Sequence, residues 1–321
     1  LKEHKISPEG VALLAAAGWL VLISCLHLFL TSSESGVEKL RVGFLPITCH
    51  LLLPVAMERS RWFREHVEAV KFSSWPDMIE SVKGRELDAT FILAPIALSL
   101  RDQEVPVEIA LLGHRNGTCL VASKGEAIKD ARDLVGKTVA IPIRFSTQNL
   151  ALQEYLSENG IQGGSVELVE LPPPDMPSAL ASRSIDAYIV GEPYAAQAEI
   201  AGAGRIMHRI QELWPNFISS VLIVRDGALE KHGKELNRMI RTLYSQAQWI
   251  EDHRRQAAEI GAAFFGLPDE LLVKVLTASP VRVSYRNLLP RDSELEKIGE
   301  LMARHHLLDG RPPCRIYRSW Q

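Results

Sequence analysis

The 321-residue chain is long enough for two domains and a sizeable core. Its 46% hydrophobic and 23% charged residues are ordinary for a globular protein, and a net charge of −3 argues against nucleic acid as a partner. There is no block of like charge and no low-complexity stretch, so beyond the N-terminus the composition reads as soluble and globular.

The N-terminus is different. Lys2 and Lys5 precede an apolar run from Val11 to Leu30, the pattern of an export signal. Leu22-Ile23-Ser24-Cys25 has the form of a bacterial lipobox, with Cys25 as the lipidation site. The run continues past Cys25, however, and approaches the roughly 20 residues that span a bilayer. A lipoprotein signal, an uncleaved anchor and an ordinary cleaved signal all remain open, and each places the rest of the chain outside the cytoplasmic membrane. Periplasmic or cell-surface location, with tethering to that membrane, is the expectation. Residues 31–36 read as a flexible tether and close this first segment, residues 1–36. Beyond it stand Cys49, Cys119 and Cys314. An oxidising compartment permits a Cys49–Cys119 bridge, but buried free thiols are the preferred reading.

From residue 37 strand and helix patterns alternate. Residues 40–45 read as a strand, and an apolar helix around 51–57 carries Pro54 in its first turn, where a missing N–H does no harm. Strands follow at 67–72, 87–95, 107–112 and 118–123, with Asn116-Gly117 marking a turn. Residues 37–123 are expected to form the first part of lobe one, with a crossing at Lys124-Gly125-Glu126. Lobe two, residues 124–220, opens with a strand at 138–141 and a helix at 150–158, with Ser146 or Thr147 as N-cap and Gly160 just past the end. A strand at 166–171 and a stiff Pro172-Pro173-Pro174 turn precede a strand at 185–193. Residues 218–224 look like the strand that returns to lobe one. From Leu229 onward Leu236, Ile240, Leu243, Ala247 and Ile250 form a helical apolar stripe. Residues 221–321 thus complete lobe one or brace both lobes.

Two echoes bind this layout together. Residues 87–95 read LDATFILAP and residues 185–193 read IDAYIVGEP, each a short apolar run stopped by Pro seven positions after its Asp. The stretch from Arg41 to Pro46 likewise matches Lys137 to Pro142. Such repetition implies two similar α/β lobes. Pro46, Pro95, Pro142 and Pro193 then mark strand ends facing one cleft, the place where open α/β sheets bind ligands. Two crossings between lobes permit hinge closure.

In that order, the exported N-terminus, the VGFLP strand, WPDMIESVKGRELDATFILAP, VGKTVAIP and IDAYIVGEP resemble the substrate-binding proteins of ABC importers. The similarity covers about residues 40 to 310 and points to the nitrate/sulfonate/taurine/bicarbonate group. It implies a type II-like bilobal periplasmic-binding fold and a small solute trapped between the lobes. Delivery to a membrane permease with its ATPase is implied as well, with no catalysis and no cofactor. It also implies ligand contacts from Thr48, Cys49 and His50, from Trp75, from Ala94 and Pro95, from Ser146, Thr147 and Gln148, and from Glu192 and Pro193.

Residue chemistry bears on that set. Ser146, Thr147 and Gln148 stand where a helix begins, and free N–H groups there favour an anion's oxygens; the plain alternative is an N-cap. His50 is a donor or a helix cap, Trp75 an apolar wall or a core residue, and Arg115 a ligand contact or part of a turn. Glu192 opposes a bare anion unless it meets a cation, an amine or N–H groups. Cys49, His50, His114 and Cys119 lack the paired spacing of a zinc site, so no metal is expected. A nitrogenous solute such as a pyrimidine is the alternative cargo. A biosynthetic enzyme on the same fold and a membrane-tethered sensory domain are the competing functions, and no Ser/His/Asp set, phosphate loop or HExxH motif supports the enzyme.

Overall fold

The computed structural model describes residues 18–24, 38–124, 128–310, 312 and 314–321. The chain divides into two units, Leu1–Lys39 and Leu40–Gln321. In the first, residues 18–24 are helical and exposed, while Cys25 and the tether at 31–36 lie outside the described residues. Among the described residues no helix is long and apolar enough to cross a membrane.

The second unit begins with β1 (Leu40–Phe44), a short 3₁₀ turn (Thr48–His50), α1 (Leu52–Arg59) and α2 (Arg61–His66). Next come β2 (Val67–Lys71), α3 (Trp75–Lys83), β3 (Ala89–Leu93), α4 (Ala94–Asp102) and β4 (Val107–Leu112). The chain continues through β5 (Arg115–Asn116), β6 (Thr118–Ser123), β7 (Thr138–Ile141), α5 (Thr147–Glu158) and β8 (Glu167–Glu170). Then follow α6 (Met176–Ala181), β9 (Ala187–Gly191), α7 (Tyr194–Ile200), β10 (Gly204–Arg209), α8 (Ile210–Leu213) and β11 (Ser220–Arg225). The C-terminal part holds α9 (Asp226–Asp252), α10 (Arg254–Phe265), α11 (Asp269–Leu276), β12 (Val283–Ser284) and α12 (Asp292–Arg304).

Two five-stranded sheets result, ordered β2-β1-β3-β11-β4 and β8-β7-β9-β6-β10. The orders match position for position. In each, the first three strands are parallel, and the fourth, β11 or β6, runs antiparallel to its neighbours. β3, β4 and β6 are buried at every position, as strands covered by helices on both faces must be. This is a bilobal α/β fold.

The fourth strand of each lobe arrives from the other lobe. β11 returns the chain to lobe one as expected. β6, by contrast, belongs to the second sheet, so the first crossing lies between β4 and β6 and not at Lys124-Gly125-Glu126, of which Gly125 and Glu126 lie outside the described residues. A strand buried at every position, with its polar Thr118 and Ser123 only at the ends, carries no alternation to say which sheet it joins. At the first crossing a side chain on Gly113 would bring its Cβ within 2.2 Å of the Cys49 carbonyl oxygen, so only glycine fits. β12 pairs with β5, and Arg115 also bridges to Ile218, which lays the C-terminal segment beside both crossings. The C-terminal helices therefore brace the hinge.

Candidate functional site

Each lobe sends the carboxyl ends of its two echoing strands to one place. Ile47 follows β1, Leu93 ends β3, Pro142 follows β7, Gly191 ends β9 and Glu192 follows it; all of them line one cavity. Cys49, Trp75, His114, Gln148, Pro173 and Ser219 complete its wall. The space enclosed is about 10 Å³, roughly the room for one water molecule. Toward solvent, Trp75 and Pro142 also border a wider cleft of about 180 Å³.

The lobes meet directly above this cavity. After β1, the Thr48 N–H and hydroxyl donate to the Glu192 carbonyl at 3.1 and 2.8 Å. From lobe two, the Tyr194 hydroxyl donates to the Pro46 carbonyl at 3.1 Å. Because Thr48 gives its only hydroxyl proton to that carbonyl, its oxygen accepts from His114 Nε2 at 2.9 Å. The tautomer of His114 follows: Nε2 is protonated and Nδ1 is a bare lone pair with no partner. Burial holds His114 down at a pKa of about 3, so the ring is neutral.

Glu192 resolves its own conflict by meeting a cation. It is fully buried, and its carboxylate takes Arg282 Nη1 at 2.7 Å and the Ala196 N–H at 2.9 Å. Arg282 reaches on to Glu199 at 2.7 Å. Burial pushes the Glu192 carboxyl up, and Arg282 draws it back only in part. Burial also works against the charge of Arg282, but the two carboxylates overcome it and hold the guanidinium above its ordinary value. Arg282 had no signal in the sequence, since it lies far along the chain in an irregular stretch before β12.

Of the residues expected to touch ligand, Trp75, Gln148 and Glu192 line the cavity, as does Cys49. Gln148 gives Nε2 to Ser219 Oγ at 2.7 Å, which leaves its Oε1 without a partner, and Trp75 Nε1 is likewise unpartnered. Ser146 is an N-cap: its oxygen accepts from the Asn149 N–H and its hydroxyl donates to Ile143 O at 2.7 Å. Thr147 donates to Ser219 O at 3.4 Å. Ala94 gives its N–H to the same Ser219 carbonyl, and Pro95 and Pro193 begin α4 and α7 beside the wall without forming it. His50 accepts the Leu45 N–H on Nδ1 and stacks on Phe91, so it orders the loop after β1. Arg115 is corrected outright. Its guanidinium is held by Glu294 at 2.8 Å and by the Asn287 and Asn216 carbonyls, which makes it a brace between the hinge and α12. Sequence reasoning missed Ile47, Leu93, His114, Pro142, Pro173, Gly191 and Ser219 as wall residues; the strand-end prolines pointed to the right ends but not to which side chains turn inward.

Cys49, Cys119 and Cys314 are all free, so the Cys49–Cys119 bridge does not form. Burial raises the Cys49 thiol to about 12, with a Ser220 hydrogen bond opposing, so it stays protonated. Among the described residues no group of three His, Cys, Asp or Glu is placed to hold a metal ion.

Two lobes closing over a buried polar cavity at their strand ends define the class of bilobal binding proteins, and the comparisons agree. The chain belongs to the NMT1-like family, whose model matches residues 33–263. This upholds the resemblance drawn from the motifs. Among curated relatives, the nitrate import ATP-binding protein NrtC of Synechocystis is 29% identical over 246 residues, 69% of this chain. The chain spans 37% of that relative's length. In structure it is similar to a ligand-binding component of an ABC-type import system from Staphylococcus aureus with zinc bound, at TM-score 0.79 and 24% identity over 88% of this chain and 97% of that one. The periplasmic nitrate-binding protein NrtA of Synechocystis gives TM-score 0.78 at 17% identity, over 85% and 82% of the two chains. Gly136-Lys137-Thr138 has the ending of a nucleotide phosphate loop, but it leads into β7 instead of leaving a strand for a helix, and Lys137 pairs with Asp186 at 3.6 Å.

Proposed function

We propose that the chain is the extracytoplasmic solute receptor of an ABC importer. It captures a small solute between its lobes and hands it to a membrane permease driven by an ATPase, held near the membrane by its N-terminal segment. One observation carries this reading: Trp75, His114 and Gln148, each with a buried polar atom that has no partner, line a cavity built by both lobes. A buried polar atom without a partner is costly, and a solute that pairs with it recovers that cost. Closure is then a population shift, limited by how much better the closed form binds. Family membership and the import systems named for the relatives support the same reading.

Nitrate, bicarbonate, sulfonates and taurine are the solutes suggested by the resemblance. A nitrogenous neutral solute is the second reading, favoured by a cavity wall without Lys or Arg. Binding is favoured over catalysis because Cys49 is held as a thiol and the one proton of His114 is committed to Thr48. Calorimetry on the full chain with small oxyanions and small amides tests the proposal, with native mass spectrometry for carried solute. One-to-one binding of one class, weakened about tenfold or more by Gln148→Ala, is expected. No saturable binding and no carried solute would remove it.

A further inference from the structure

Resting on the receptor reading, we infer that the solute is uncharged and carries both a hydrogen-bond donor and an acceptor, the urea or amide class, in place of a free oxyanion. The cavity wall contains no Lys or Arg. Its one carboxylate, Glu192, already holds Arg282, and Arg282 is shared with Glu199. Two carboxylates around one guanidinium leave no positive charge to lend. His114 supplies none, because burial keeps it neutral down to about pH 3, and the same holds for the nearby His50. An oxyanion stripped of water here would be a buried charge without a counter-charge, which protein interiors tolerate worst.

What the wall offers is neutral and of both kinds. Trp75 Nε1 is a donor without a partner, whereas Gln148 Oε1 and His114 Nδ1 are acceptors without one, and each side chain is 2% exposed. An acceptor needs a hydrogen, and nitrate has none to give. An amide answers both: its carbonyl takes the indole N–H, while its own N–H groups reach the two acceptors. Ile47, Leu93, Pro142 and Pro173 leave most of the rest of the wall apolar, and since the cavity as it stands holds about one water, a flat molecule of four heavy atoms enters only as the lobes part.

Urea, bicarbonate and nitrate are planar molecules of one heavy-atom shape that differ in charge and in hydrogens, so they isolate this choice. Calorimetric titration of the full chain, with urea kept far below denaturing concentrations, should place urea about tenfold or more tighter than bicarbonate, and bicarbonate ahead of nitrate. Urea affinity should not change with salt, because no ion pair forms. Trp75→Phe, which keeps a ring and removes the N–H, and Gln148→Leu should each weaken urea about tenfold. Tighter binding of nitrate or bicarbonate than of urea would overturn the inference and leave the receptor standing. If none of the three saturates the protein the inference falls, and the receptor reading falls with it only if sulfonates and taurine also fail to bind and native mass spectrometry finds no carried solute.

Discussion

In lobe one, Asp88 accepts the Arg41 N–H at 2.9 Å and returns its own N–H to the Arg41 carbonyl. In lobe two, Asp186 accepts the Thr138 N–H at 2.8 Å and returns its N–H to Thr138. The strands then pair in the same register, Val42 opposite Ala89 and Val139 opposite Ala187. A cation sits by each Asp, Arg225 at 3.4 Å and Lys137 at 3.6 Å. At the cavity end the likeness stops. Where lobe one has Leu93-Ala94-Pro95, lobe two has Gly191-Glu192-Pro193, with a buried carboxylate in place of a methyl group. The base of each lobe solves a problem both share, pinning two strands in register. At the cavity end lobe two meets the C-terminal segment through the buried ion pair with Arg282, whereas lobe one meets it through a neutral bond, the Tyr285 hydroxyl donating to the Thr48 carbonyl at 2.6 Å.

The sharpest way to break that comparison is at the ion pair. Arg282→Met should cost about 3–5 kcal/mol, because it strands a buried carboxylate, and adding Glu192→Gln should recover much of it. Denaturant unfolding of the two variants reads this directly. A loss below about 1 kcal/mol for the single change would show that the pair is not what fixes lobe two to the C-terminal segment.

Acid should separate the lobes next. His50 and His114, the fully buried histidines beside the loop after β1 and the end of β4, are both held down to about 3 by burial. Each has a folded pKa below its unfolded value, so its stability contribution is present above about pH 6.5 and declines as pH falls toward 3. The expected slope is about 1.4 kcal/mol per pH unit for each ring, read from unfolding at a series of pH values. His50→Phe should remove one proton's share of that slope, and an unchanged slope would refute the assignment.

The shared base predicts equality. Asp88→Ala and Asp186→Ala should each cost about 1–2 kcal/mol, agreeing within about 0.5 kcal/mol. A clear mismatch in chemical denaturation would mean that the two Asp residues are alike in sequence but not in what they carry. The smallest effect belongs to lobe two alone: Ser146→Ala removes the N-cap of α5 and should cost about 1 kcal/mol. The equivalent α1, which follows β1 as α5 follows β7, begins without a side-chain cap, at Leu51, so no matching loss is available there. Solute affinity should fall less with Ser146→Ala than with Gln148→Ala, since the Ser146 hydroxyl is committed to the helix.

Local signals in the sequence determined the lobes, their four strand ends and the cap of α5. An Asp before an apolar run, a Pro after it, and Ser146 with Gly160 around a helix all act within a few residues of themselves, so their meaning survives without the fold. The cavity was half legible on the same ground: Trp75, Gln148 and Glu192 were named because they stand at those ends. Only the tertiary structure decided the rest. Which sheet β6 joins is invisible in a strand buried on both faces. That Arg115 braces the hinge, and that Arg282 neutralises Glu192 across 90 positions of chain, depends on where the C-terminal segment comes to lie. Charge pairing in a protein interior is set by distance in space, and the sequence states only distance along the chain.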